Sequence, residues 1–210
     1  MQYKVAILVQ FTPDEWLDIT NITVSNNQEY ARKHRYSFIP EIFEPPYSGY
    51  NKLTTILALF DYGVDVVWSI DADVLITNHN YKIEEYLNEE ASFYITKDFN
   101  NYNAGSFIVK KSEWSISFLE WLLLCKGKDK MYCEQDAFVL YSKLFPHAIG
   151  KQICVLPHPS INSYLYENYP EIPMQSHGNG QWQEGDFVLH LPAIGMNKRL
   201  EILKNTKVIK

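Results

Sequence analysis

With 210 residues, 46% of them hydrophobic and 15% aromatic, the chain is long and apolar enough for one domain with a substantial core, and this composition excludes disorder. A formal net charge of −6 excludes a broad nucleic-acid footprint, apart from a local basic cluster at Lys198, Arg199, Lys204, Lys207 and Lys210. The three cysteines, Cys125, Cys133 and Cys154, are odd in number and lack metal-ligand spacing, which fits a reducing, intracellular setting.

Lys4 to Gln10 reads as a first buried strand. Its apolar run is too short for a membrane span and carries no signal-peptide pattern, so a soluble, cytoplasmic protein is expected. Phe11-Thr12-Pro13-Asp14 breaks this strand. Ser25-Asn26-Asn27-Gln28 has capping-box spacing and predicts a helix from there through Tyr30 and Ala31 to His34. Asn21-Ile22-Thr23 matches a glycosylation acceptor, a chance match where no secretory signal precedes it. Tyr36 to Ile39 is a second strand, stopped by Pro40, which completes a β-α-β opening. Asn51 is the expected cap of the next helix. Leu53, Ile56, Leu57 and Phe60 share one face of it, and Gly63 ends it.

Val66 to Ile70 then forms a β-rich apolar run, read as a central strand. A short helix at Ile83 to Leu87 and strands at Ser92 to Thr96 and Gly105 to Lys110 follow. Ser112 opens a helix bearing Phe118, Leu119, Trp121 and Leu122. Another helix runs from Glu134 to Phe145 and stops at Pro146. After a strand at Ile153 to Leu156, Pro157 to Glu184 lacks periodicity and is expected to close over a site. Phe187 to Leu189 is a last strand and Asn197 to Lys204 a closing helix. The alternation predicts an α/β fold, a mostly parallel central sheet flanked by helices, over residues 1–210 as a single domain.

Asp71 and Asp73 end the central strand, where open α/β sheets bind ligands. Residues i and i+2 of an extended chain point the same way, so the two carboxylates converge. Two hard oxygen ligands suit Mg²⁺ or Mn²⁺. The competing reading is a polar strand end that caps the next turn. Lys97-Asp98 and Asn103-Ala104-Gly105-Ser106-Phe107 combine hydrogen-bonding groups with small residues before a strand, which lets the backbone approach a ligand. Glu134-Gln135-Asp136 opens a helix. Its acids suit the helix dipole, which leaves Gln135 the least explained. His190 follows a Gly-containing loop and can complete a carboxylate–carboxylate–imidazole set. Lys52, Lys198 and Arg199 are candidate diphosphate partners.

These pieces resemble, in order, the galactosyl/mannosyl/xylosyltransferase family, family 34 of the glycosyltransferases. The resemblance rests on Asp71-Ala72-Asp73, Asn103 to Phe107, Glu134-Gln135, Gly185-Asp186-Phe187-Val188-Leu189-His190, and, toward the start, Tyr30 to Tyr36 and Asn51-Lys52-Leu53. It implies the A-type glycosyltransferase fold, a Mn²⁺-dependent nucleoside-diphosphate sugar donor, a glycan or other hydroxyl acceptor, and retention of anomeric configuration. It further implies Asp71, Asp73 and His190 as metal ligands, and Asp98, Asn103 and Gly105, with Ala104 beside them, along the donor sugar. Gln135, flanked by Glu134 and Asp136, would face the anomeric carbon. Many members read His-Phe-Ala-Gly-Cys where this chain reads His190-Leu-Pro-Ala-Ile-Gly195, so either Lys198 or Arg199 can be the residue that meets the diphosphate. Two other functions compete. A nucleotidyltransferase of related fold needs a Gly-rich basic loop after the first strand, and Phe11 to Glu15 has neither glycine nor lysine. An inactive sugar-binding module would lack a metal ligand, and all three candidates are present.

Overall fold

In the computed structural model, residues 3–43, 48–98, 101–128, 133–165 and 181–210 are described. Six strands form the main sheet: β1 (Val5–Phe11), β2 (Ser37–Ile42), β3 (Val66–Asp71), β5 (Phe93–Asp98), β6 (Asn101–Lys110) and β7 (Ile153–Leu156). Their order is β2-β1-β3-β6-β5-β7. β1 pairs in parallel with β2 and β3, and β5 with β7, while β6 runs antiparallel to both neighbours. A separate two-stranded ribbon joins β4 (Val74–Ile76) to β8 (Val188–His190), antiparallel, with Val74 opposite His190.

The helices are α1 (Pro13–His34), α2 (Tyr50–Asp61), α3 (Glu113–Leu124), α4 (Glu134–Leu144) and α5 (Met196–Asn205). The sheet separates two apolar layers. Leu8, Val67, Phe107 and Val109 pack with Leu53, Ile56 and Phe60 of α2, Phe118 of α3 and Phe138 of α4. Ile7, Val9, Trp68, Ile70 and Ile108 pack with Tyr30 and Ala31 of α1 and with Phe187. Leu75, Leu189, Ile19 and Leu203 form a third cluster around the β4–β8 ribbon. No described helix is long and apolar enough to cross a membrane.

Several boundaries differ from the sequence expectation. Helix α1 starts at Pro13, immediately after β1, and runs straight through Ser25 to Gln28. A proline is tolerated in the first turn, where its missing N–H has no helical partner. Asn27 is fully buried inside the helix, and its amide bonds to β4, so its polarity reflects tertiary contacts and not a cap. Thr23 is likewise buried, at the end of the Asn21-Ile22-Thr23 sequon. Strand β2 continues through Pro40 because it lies at the sheet edge, where a missing ladder donor is tolerated. Helix α2 begins after Gly49, so Asn51 lies within it. Ser112 caps α3 as expected, accepting from the N–H of Ser115 at 3.0 Å.

Candidate active site

Asp71 is the last residue of β3, opposite Gln10 of β1. Ala72 and Asp73 make a turn into β4. The carboxylates therefore converge across a turn, and not along one extended strand. This turn is clamped from two sides. Along one edge β4 pairs with β8, which brings His190 beside Asp73. Against the other lies the polar face of α1. Thr23 Oγ1 donates to the carbonyl of Ala72 at 2.7 Å, Asn27 Nδ2 to Val74 O at 2.8 Å, and Asn26 Nδ2 to Ile76 O at 2.8 Å. Asn27 Oδ1 accepts from the N–H of Ile76 at 3.0 Å. Sequence reasoning missed these three α1 residues, and their helical spacing on one polar face is the signal that points to them.

Asp71, Asp73 and His190 each offer a ligand atom, and these atoms all lie within 4.8 Å of one another. Six ligands at ~2.1 Å from a hard cation sit roughly 3–4 Å apart, so the set fits Mg²⁺ or Mn²⁺ after a small closing movement. Two carboxylates and one imidazole are also the right donor chemistry. His190 Nε2 is 3.3 Å from Asp73 Oδ1, and the Arg199 guanidinium is 3.2 Å from Asp73 Oδ2. Burial by itself would raise the Asp73 carboxyl. The charges of His190 and Arg199, with hydrogen bonds, outweigh it and hold the group below the ordinary carboxylate range.

Lys52, buried on α2, places its ammonium 2.6 Å from Asp71 Oδ1 and 3.0 Å from Glu134 Oε1, and it donates to the carbonyl of Ala104 at 3.2 Å. It thus ties the end of β3 to the start of α4. Glu134 is packed onto Gly49, where a Cβ would fall 1.6 Å from Glu134 Oε2. Gly105 is as tightly used: a Cβ there would lie 2.4 Å from Cε1 of His190 and 3.0 Å from Asp71 Oδ2.

Strand β6 starts at Asn101, so Asn103 and Ala104 lie within it and not before it. The β5–β6 register jumps there, from Thr96 opposite Asn103 to Ile95 opposite Phe107. The intervening residues of β6 form a bulge, a device common next to active sites. It frees the N–H of Ala104 to donate to Gln135 Oε1 at 2.9 Å and that of Gly105 to donate to Asn103 Oδ1 at 2.8 Å. Asp98 Oδ2 accepts from Asn103 Nδ2 and from the hydroxyl of Tyr164, each at 2.9 Å.

A cavity of about 440 Å³ opens over this cluster, lined among others by Lys52, Asp71, Ala104, Glu134, Gln135 and His190. Asn103 and Gly105 also line it. Asp136 does not. Its carboxylate accepts from the N–H of Cys133 and so closes the first turn of α4. Lys198 does not line it either, and it pairs with Glu201 on its own helix at 3.3 Å. Of the two C-terminal cations, Arg199 is the one that pairs with Asp73 of the candidate metal-ligand set, although it does not line the cavity. The segment expected to close over the site divides. Ile161 to Tyr164 is fully buried and fixed beneath the site. Residues 166–180 lie outside the described residues.

The sequence model of the galactosyl transferase GMA12/MNN10 family matches residues 87–200. That stretch includes Asp98 to Gly105, Glu134 to Asp136 and His190. Asp71 and Asp73 precede it, and their case rests on geometry. The chain is similar to a probable alpha-1,2-galactosyltransferase, gmh1, of Schizosaccharomyces pombe, 26% identical over 79% of this chain and 60% of that protein. It is similar to a probable alpha-1,6-mannosyltransferase, MNN10, of Saccharomyces cerevisiae, 26% identical over 84% of this chain and 56% of that protein. The chain thus spans less than two thirds of the length of these relatives. Among solved structures, a glycosyltransferase involved in glycosylation of the major capsid of PBCV-1 superposes with a TM-score of 0.74 at 17% identity, over 96% of this chain and 98% of that one. The galactosyltransferase LgtC, solved with donor and acceptor sugar analogs, has a TM-score of 0.56 at 13% identity, over 98% and 97% of the two chains. The fold is the A-type glycosyltransferase fold.

Proposed function

The chain belongs to the galactosyl transferase GMA12/MNN10 family, and from that premise we propose that it is a metal-dependent, retaining glycosyltransferase. It moves a hexose or pentose from a nucleoside-diphosphate sugar to a hydroxyl of a glycan or other acceptor. What carries this reading is the meeting of Asp71, Asp73 and His190 beside a cavity lined by Lys52, Asn103, Gly105 and Gln135.

Asp71, Asp73 and His190 would hold Mn²⁺ or Mg²⁺, whose contribution is to neutralise diphosphate charge. Lys52 and Arg199 hold the two aspartates in place, so the site is positioned before any ligand arrives. Asp98, Asn103, Ala104 and Gly105 bind the donor sugar. Lys198 or Arg199 meets the diphosphate, and Arg199 is favoured by its place at Asp73. Gln135 stands beside the reacting carbon, with Glu134 fixing Lys52 and Asp136 fixing the helix start. The bond from the anomeric carbon to the diphosphate oxygen breaks, and a bond to the acceptor oxygen forms on the same face. The acceptor's proton passes to the departing phosphate oxygen, so no separate side-chain base is needed.

The test is a panel of nucleotide-sugars incubated with and without Mn²⁺, reading released nucleoside diphosphate and, with acceptors present, the product anomer by NMR. Release that requires the cation, with a retained anomer in the product, is expected. Absence of release from every donor, with Mn²⁺ and glycan acceptors supplied, would overturn the proposal.

A further inference from the structure

The hydrogen bonds around Asn162 run in one direction only. The N–H of Gly105 can only donate, and it donates to Asn103 Oδ1 at 2.8 Å. The Asp98 carboxylate accepts from Asn103 Nδ2 at 2.9 Å. The Asn103 amide is thereby fixed at both ends, with its oxygen toward Asn162. Asn162 must meet that oxygen with its NH₂, which donates at 3.1 Å to Asn103 Oδ1 and at 3.2 Å to Thr96 Oγ1. Asn162 Oδ1 is then the atom turned to His190, 2.9 Å from Nδ1. An amide oxygen only accepts, so Nδ1 carries the hydrogen. Nε2 is the ring nitrogen that faces Asp73.

We propose that Asn162 is a positioning residue: by accepting from His190 Nδ1–H it holds the imidazole with Nε2 directed at the Asp71–Asp73 site. A metal-ligating histidine is commonly oriented by an acceptor on its other nitrogen. Asn162 is suited to hold that role rigidly. It is fully buried, between Ile161 and Ser163, which are also fully buried. Its neighbour Ser163 is strapped to β8. Ser163 Oγ donates to Val188 O at 2.9 Å, and the N–H of His190 donates to Ser163 O at 2.8 Å. Through Asn103, the same amide also fixes a group on the donor-sugar side. Asn162 therefore links the metal ligands to the sugar pocket. The hydrogen on Nδ1 follows from the hydrogen bonds alone, whereas its consequence for cation binding rests on the function proposed above.

The test uses the full ¹⁵N-labelled chain without metal at pH 8. Two-bond ¹H–¹⁵N correlation spectra report the imidazole tautomer, with His190 assigned by its loss in His190→Gln. A hydrogen on Nδ1 is expected, whether or not Nε2, which faces the Asp73 carboxylate, also carries one. Asn162→Leu removes the acceptor and is expected to shift His190 toward Nε2–H and weaken Mn²⁺ binding about 10–100-fold. Asn162→Asp restores an acceptor for Nδ1–H but no NH₂ for Asn103. It is expected to keep the tautomer and the Mn²⁺ affinity while raising donor KM, and it serves as the readable variant if Asn162→Leu does not fold. A wild type in which His190 Nδ1 carries no hydrogen would overturn the proposal. So would an Asn162→Leu protein with unchanged tautomer and Mn²⁺ affinity. A wild type that shows Nδ1–H yet binds no Mn²⁺ supports the assignment of Asn162 and refutes the metal site of the proposed function.

Discussion

His190 Nε2 lies 3.3 Å from Asp73 Oδ1, with both side chains almost entirely shielded from solvent. Asp73 also pairs with Arg199, so its carboxylate is both a candidate ligand and the counter-charge of a buried guanidinium. Asp73→Asn is therefore expected to abolish Mn²⁺-dependent turnover and also to lower stability. Removing one partner of a buried ion pair costs on the order of 3–5 kcal/mol. Mn²⁺ titration and thermal unfolding of the same variant read the two effects separately.

Gly49 and Gly105 test how closely the site is packed. Gly49→Ala drives a methyl group into the Glu134 carboxylate, which can move only by leaving Lys52. Gly105→Ala drives one into the His190 ring. Both variants are expected to lose at least tenfold in kcat/KM, about the value of one misplaced site contact. Gly105→Ala should also weaken Mn²⁺ binding. Isothermal titration with Mn²⁺ distinguishes them, and unchanged affinity in Gly105→Ala would count against His190 as a ligand.

Gln135 gives its amide oxygen to the N–H of Ala104 at 2.9 Å. Gln135→Ala loses this anchor as well as the group proposed to stand beside the reacting carbon. Its kcat is expected to fall roughly 10–1000-fold, with donor KM little changed. Gln135→Glu keeps an acceptor for Ala104 but should still lower turnover, with the product anomer retained. Single-turnover kinetics with NMR of the product check both. Full activity in Gln135→Ala at unchanged thermal stability would reduce the residue to part of the helix start.

His79 gives the fold a pH dependence away from the site. It is buried against the Tyr30 ring, and burial lowers its pKa from 6.5 to about 4. The unfolded chain takes up this proton near 6.5, and the folded chain only near 4. Between those values the unfolded state binds more protons, so stability falls as pH falls through that window. The contribution is fully present above pH 6.5. Melting temperatures at pH 7.5 and pH 5 should converge in His79→Phe relative to wild type. An equal drop in both proteins would assign the acid sensitivity elsewhere.

The strand–helix alternation, the central strand ending at Asp71, and the small set of polar residues beside it were legible in the chain's local patterns. These are local properties. Apolar runs bury, helical faces repeat every three to four residues, and Ser112 satisfies the free N–H groups of its own helix. Local signals failed where a polar residue had a distant partner. Asn27 read as a helix start because nothing in its neighbours reveals that β4 will occupy its amide. Asn103 and Ala104 read as lying before the strand because a bulge exists only once β5 and β3 lie on either side.

The site itself was divided in the same way. Asp71 and Asp73 were legible as a pair because they are two residues apart. That His190 could join them was raised by its place after a Gly-containing loop and by the family resemblance, but only the β4–β8 pairing brings it there. Three-dimensional packing was needed to reveal that Arg199 and not Lys198 reaches Asp73, that Lys52 bridges Asp71 and Glu134, and that the Asn162 amide meets the imidazole. Each of these is a charge or hydrogen bond between elements remote in sequence. Its direction depends on how two buried backbones are held against each other, which no residue's immediate neighbours encode.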